Sequence, residues 1–150
     1  MSQERATQVD RASGGEEPQE PLAVVAAAIV QHGRLLVVSK QAAPEVFYLP
    51  GGKPDPGEEP LQALCRELDE ELGVEPREPR LLARVESVAA LEKVPMHLTL
   101  FEARIDRLPR PAAELADMQW ISGHERDVRL APAVTDHLLP MLRQRGSMAL

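Results

Sequence analysis

A chain of 150 residues is long enough for one domain with its own core and too short for two of ordinary size. Hydrophobic residues make up 43% and aromatic residues only 3%, so the core must be built from Leu, Val, Ala and Ile, and stacking platforms for bases are scarce. A net charge of -7 works against polyanions and excludes a general nucleic-acid binder, a single cysteine excludes an internal disulfide, and no apolar run is long enough to span a bilayer.

Residues 1–21 are polar and aperiodic and read as a flexible tail. They lack the apolar stretch of a signal peptide, so a cytoplasmic location is expected. Residues 22–30 and 34–39 are short aliphatic runs on either side of Gln31, His32 and Gly33, which predicts an antiparallel hairpin. Phe47, Tyr48 and Leu49 form a short strand ended by Pro50, Gly51 and Gly52, and a loop rich in Pro, Gly and Asp runs on to Glu58. The next segment predicts a helix from Pro60 to Leu72, with Pro in the first turn and Gly73 as a left-handed cap. Further strands are expected over residues 81–88, 96–105 and 117–121, and Val134, Leu138, Met141 and Leu142 give a second helix to about Arg145, bent by Pro140. The order predicts an α+β chain, an α/β/α sandwich with a mixed sheet.

At about 100° per residue, Glu67, Glu70 and Glu71 share one arc of the first helix. Leu61, Leu64, Cys65, Leu68 and Leu72 form a separate apolar stripe, which predicts an acid face turned outward or into a cleft and a packed core thiol at Cys65. Adjacent carboxylates repel, and a bound cation removes that penalty; oxygen-only donors favour Mg²⁺ or Mn²⁺ over zinc. An arbitrary Glu-rich helix usually has merely solvated acids, so the surrounding residues decide the matter. Gly52 is followed after five residues by Glu58, and after seven more by Arg66, Glu67, Leu68, Asp69, Glu70, Glu71, Leu72, Gly73 and Val74. This segment resembles the box of the Nudix hydrolase family at every defined position, a match expected by chance on the order of once in 10⁸ start points. A phosphate-binding Walker loop, suggested by the spacing of Gly52 and Gly57, fails because Glu58 and Glu59 stand where Lys and Ser or Thr are required.

The resemblance implies a Nudix fold over residues 22–145, with residues 146–150 as a C-terminal tail. It implies a hydrolase that cleaves a phosphoanhydride bond in a nucleoside diphosphate linked to another moiety, by attack of water on phosphorus, with Mg²⁺ or Mn²⁺ as cofactor. Metal ligation falls to Glu67, Glu70, Glu71 and the Gly51 carbonyl, with Glu67 also the candidate base. Glu58 and Arg66 take the family's ion pair, which ties loop to helix. Gly51, Gly52 and Gly57 are expected to adopt backbone angles closed to other residues. An additional acid outside the box is sought among Glu86, Glu92, Glu102, Glu114 and Asp117, with Glu114 and Asp117 preferred because they closely precede Trp120. Tyr48 and Lys53 are the candidate substrate-binding residues. His32, His97, His124 and His137 have no metal-ligand spacing. The expected partner is a small nucleotide-type molecule, with no nucleic acid and no membrane, and a homodimer is allowed. Two other readings on the same fold are weighed. A silent nucleotide sensor has no need of all three acids, and a prenyl-diphosphate isomerase needs a cysteine away from the box helix, where none exists. RNA decapping is disfavoured by the acidic charge.

Overall fold

Alternation of side chains along two strands organises the structure, a computed structural model that describes residues 20–149. The expected tail, residues 1–21, lies outside the described residues except for its last two. Strand β1 (Leu22–Ala28) and strand β3 (Arg34–Lys40) each send successive residues to opposite faces. Val25, Ala27, Leu36 and Val38 join one core cluster, while Ala26, Ala28, Leu35 and Val37 join the other. Helix α1 (Pro60–Leu72) covers the first cluster with Ala63, Leu64, Leu68 and Leu72. The C-terminal helical segment covers the second with Val134, Leu138, Leu139 and Leu142. Helices on both faces of mixed sheets give the sandwich its layers.

Besides β3, three shorter strands lie between β1 and the helix: β2 (Val30–Gln31), β4 (Ala43–Tyr48) and β5 (Gly51–Gly52). Beyond the helix follow β6 (Pro76–Val88), β7 (Pro95–Ile105), β8 (Leu115–Ile121) and β9 (Arg129–Leu130). One sheet has the order β5-β1-β7-β6, with β1 and β7 parallel; the other has the order β2-β3-β4-β9, with β8 also paired to β3. The expected hairpin is therefore much smaller than the two aliphatic runs. Only Val30–Gln31 pairs with β3 across the turn, where His32 and Gly33 take positive φ, while β1 pairs with β5 on one side and along its whole length with β7 on the other, Leu22 opposite Met96. β9, a two-residue strand parallel to β4, has no counterpart in the sequence reading.

Helix α1 follows its sequence signals. Pro60 occupies the first turn, the Gln62 side chain accepts from the Glu59 N–H at 2.9 Å, and Gly73 closes the end at φ 67°, its N–H donating to Asp69 O at 3.0 Å. Gln62→Ala is expected to lower stability by about 0.5–1 kcal/mol, read from urea unfolding. The last helix is less regular than expected. Ala133–Leu138 is π-helical and gives way to α2 (Leu139–Gln144), with Pro140 in its first turn. Pro140 has no N–H for the carbonyl four residues back, and the wider turn is one way for a helix to absorb that loss. Met148, in the expected tail, is buried in the second cluster.

Candidate functional site

The acid face of α1 does not sit where the apolar stripe suggested. The buried residues Ala63, Leu64, Leu68, Glu71 and Leu72 span an arc of about 180° at 100° per residue, with Glu71 close to its middle. Glu71 is 3% exposed, whereas Cys65, placed beyond the edge of that arc, is exposed and is not the packed core thiol expected. Ala63 is fully buried at the other edge of the arc from Leu72, where α1 packs against β1 and β5. The Gly51 N–H donates to Glu71 Oε1 at 3.2 Å. Burial, followed by the neighbouring Glu67 charge, pushes the Glu71 carboxyl up to about 8 despite the opposing Gly51 hydrogen bond.

Gly51 and Gly52 make this approach possible in different ways. Gly51 has φ 151°, and a Cβ there would overlap the Val25 carbonyl oxygen. Gly52, contrary to expectation, has no positive φ; its requirement is space, because a Cβ would overlap the Glu67 carboxylate. Gly57 does adopt a positive φ, 80°, with open space beside it.

Arg66 orders the outer acids. Its Nε and Nη2 donate to the two Glu58 carboxylate oxygens, both at 2.9 Å, and Nη2 also donates to the Lys53 carbonyl at 3.2 Å. Nη1 lies 3.4 Å from Glu67 and 3.3 Å from Glu70. The bidentate pair ties the loop after β5 to the helix. The Arg66 hydrogen bonds, then the Asp55 N–H, hold the Glu58 carboxyl down to about 2. A depressed carboxylate contributes stability that is present above its ordinary value near 4.5 and lost as pH falls through about 2. Glu58→Gln is therefore expected to remove part of the acid limb of a Tm-versus-pH curve between about pH 4.5 and 2 and to leave its alkaline limb in place.

Glu67 is partly buried, and that burial raises its proton affinity while Arg66 opposes the rise. Among the described residues no three acidic, His or Cys side chains converge tightly enough to enclose an ion as they stand. Glu71 points to the Gly51 amide and Glu70 to Arg66. The donor set nonetheless fits a hard divalent cation. It is all oxygen, it is backed by glycines, and it contains one carboxylate buried with no cationic hydrogen-bond partner, whose charge a bound cation would balance.

A cavity of about 250 Å³ opens beside Gly51, Gly52 and Glu67. Tyr48 and Lys53, both expected at the substrate, line it. So does Glu114, carried there by the segment that docks on the end of α1 through the Ala112 N–H and Glu71 carbonyl at 2.8 Å. Asp117, the other preferred acid, is exposed, accepts from the Met118 N–H at 2.8 Å and does not line the cavity. Glu92 also reaches the cavity, whereas Glu86 lies beside His97 and Glu102 pairs with Arg80 and Arg145 elsewhere. Lys40 went unnoticed in the sequence because it ends a strand and belongs to no motif; it lines the cavity 3.5 Å from Glu114. No helix of the described residues is long and apolar enough to cross a membrane.

The profile of the NUDIX domain family matches residues 19–142. A Mycobacterium tuberculosis protein that carries the provisional name 8-oxo-dGTP diphosphatase 2 is 38% identical over 114 residues, covering 65% of this chain and 79% of its own. Among solved structures, a MutT NUDIX hydrolase from Burkholderia pseudomallei superposes with a TM-score of 0.67 at 30% identity over 77% of this chain and 93% of its own. The E. coli ORF135 protein gives 0.69 at 28% identity over 87% of this chain and 94% of its own.

Proposed function

The chain belongs to the NUDIX domain family as a pyrophosphohydrolase, and we propose that it cleaves the phosphoanhydride bond of a nucleoside diphosphate derivative with a divalent cation, Mg²⁺ or Mn²⁺, held by Glu67, Glu70, Glu71 and the Gly51 carbonyl. The observation that carries this reading is Glu71, a carboxylate buried against Gly51 at the middle of the inward face of α1. A buried acid near 8 is costly to keep for packing alone, and an apolar residue would fill the same place without that cost.

A bound divalent cation supplies charge neutralisation for the diphosphate and acidifies the attacking water. The protein's own residues do the rest. Arg66 holds Glu67 and Glu70 on one side of the helix and fixes the loop through Glu58, so the acids do not search for position when substrate arrives. In this reading Glu67 accepts the proton of water, supported by a proton affinity raised by burial and a carboxylate seated over Gly52. Lys53 and Lys40, which pair with Glu92 and Glu114, are the cations of the cavity and would turn to the phosphates when substrate binds. Tyr48 forms part of its wall.

The test is turnover of a panel of nucleoside diphosphate derivatives with Mg²⁺, read as release of phosphate or nucleoside monophosphate, alongside calorimetric titration of Mg²⁺ and Mn²⁺. Hydrolysis that requires the cation and fails in Glu70→Gln supports the reading. Tight nucleotide binding without turnover on the whole panel would replace it with a sensor.

A further inference from the structure

Strand register shows what the far part of the cavity is made of. Ala26 of β1 stands opposite Gly51, Val24 opposite Leu98 of β7, and Leu22 opposite Met96. All six line the cavity. Four residues separate Ala26 from Leu22, so an aliphatic wall runs about 13 Å away from the acid site at roughly 3.3 Å per residue. Ala131 and Val134 add to the same lining.

The chemistry of that lining is selective by what it offers. The lining residues with polar side chains are Lys40, Tyr48, Lys53, Glu67, Glu92 and Glu114, and they include no Asn, Gln, Ser, Thr, His, Arg or Asp. Five of the six are already paired, Lys53 with Glu92 at 3.3 Å, Lys40 with Glu114 at 3.5 Å and Glu67 with Arg66 at 3.4 Å. The Tyr48 hydroxyl is buried without a hydrogen-bond partner, but it stands on β4 and not on the β1–β7 wall. A base pushed along the β1–β7 wall therefore meets methyl and methylene groups, and any donor or acceptor on its leading edge goes unmatched. Purines carry ring nitrogens or exocyclic groups on both of their long edges. A pyrimidine has one edge, C5–C6, without donor or acceptor, and thymine adds a methyl group there. The cavity volume, below the roughly 300–1,000 Å³ of common ligand pockets, also suits one ring better than two.

We propose that the moiety recognised is a pyrimidine nucleoside seated with its C5 edge on the wall formed by Leu22, Val24, Met96 and Leu98, so that thymidine nucleotides are favoured; this rests on the hydrolase reading of the acid site. The same wall does not distinguish guanine from its 8-oxo form, because it has no side chain that would sense the altered N7 and C8 groups.

The experiment compares kcat/KM for dTTP, dUTP, dGTP and 8-oxo-dGTP with Mg²⁺. Expected are a preference for dTTP over dUTP of about 3- to 10-fold, the value of one buried methyl group, and both guanine nucleotides about 10-fold or more below dTTP and within about 3-fold of each other. Leu22→Ala, at a half-buried position, should bring the dTTP to dUTP ratio toward one. A dUTP rate equal to that of dTTP, or 8-oxo-dGTP preferred to dTTP, overturns the proposal while leaving the hydrolase reading intact. Absence of turnover on all four leaves the hydrolase reading to the wider panel of nucleoside diphosphate derivatives, and the wall is then read by binding of the non-hydrolysable α,β-imido analogues of dTTP and dUTP. Equal affinities, or no binding of either, overturn the assignment.

Discussion

Glu71→Gln is expected to lower kcat by roughly 10²-fold or more, about 2.7 kcal/mol at ~1.36 kcal/mol per tenfold, while the metal-free protein becomes more stable at pH 8. Both halves follow from the placement of one side chain. The amide keeps an oxygen to accept the Gly51 N–H, so the loop stays docked, but the negative charge that would balance a cation is gone. In the wild type, burial raises the folded-state carboxyl from 4.5 to about 8. A raised carboxylate contributes favourably below its unfolded value near 4.5, and the contribution is lost as pH rises through about 8. The metal-free wild type should thus lose Tm between about pH 4.5 and 8, and Glu71→Gln should lack that decline. Saturating Mg²⁺ should restore the wild type and leave the variant unmoved. An active variant, or a wild-type Tm indifferent to pH and Mg²⁺ across this window, would remove Glu71 from the site.

Local patterns in the chain carried the helix and its Gly73 cap, because each depends on residues within about one or two turns of one another, while the Glu58–Arg66 pair came from the family resemblance and the Gln62 cap was not foreseen. The inward turn of Glu71 was not legible. Hydrophobicity alone placed the centre of the buried arc among the leucines, whereas the buried arc runs from Ala63 to Leu72 and is centred near an acid. The long-range pairings were equally hidden. The side chains of β1 read as a strand, yet nothing local to it selects a parallel partner at β7 over the nearer β3. That choice in turn builds the aliphatic wall from Leu22, Val24, Met96 and Leu98, residues that are unremarked core formers when read in order. Glu114 and Asp117 were indistinguishable by sequence position. The hydrogen bonds of Arg110 and Ala112 to the end of α1 separate them, bringing Glu114 into the cavity and leaving Asp117 on the surface of β8.

Gly51→Ala is expected to cost about 3 kcal/mol or more, against about 1 kcal/mol for Gly73→Ala, although both glycines have positive φ. At Gly73 a Cβ enters open space, so the alanine pays only for its left-handed conformation at the helix cap. At Gly51 a Cβ meets backbone on a neighbouring strand, the Val25 carbonyl oxygen and the Ala26 Cα, and no rotamer change can relieve that overlap. The β1–β5 ladder has to open by pulling Gly51 away from Ala26, which also withdraws the amide that holds Glu71. The variant should accordingly lose kcat together with stability, whereas Gly73→Ala loses stability with kcat nearly unchanged. Urea unfolding of both variants, with turnover measured at a temperature where each is fully folded, separates the two effects. Equal destabilisation by the two substitutions would show that conformation, and not the contact of Gly51 with β1, governs the position of the acid site.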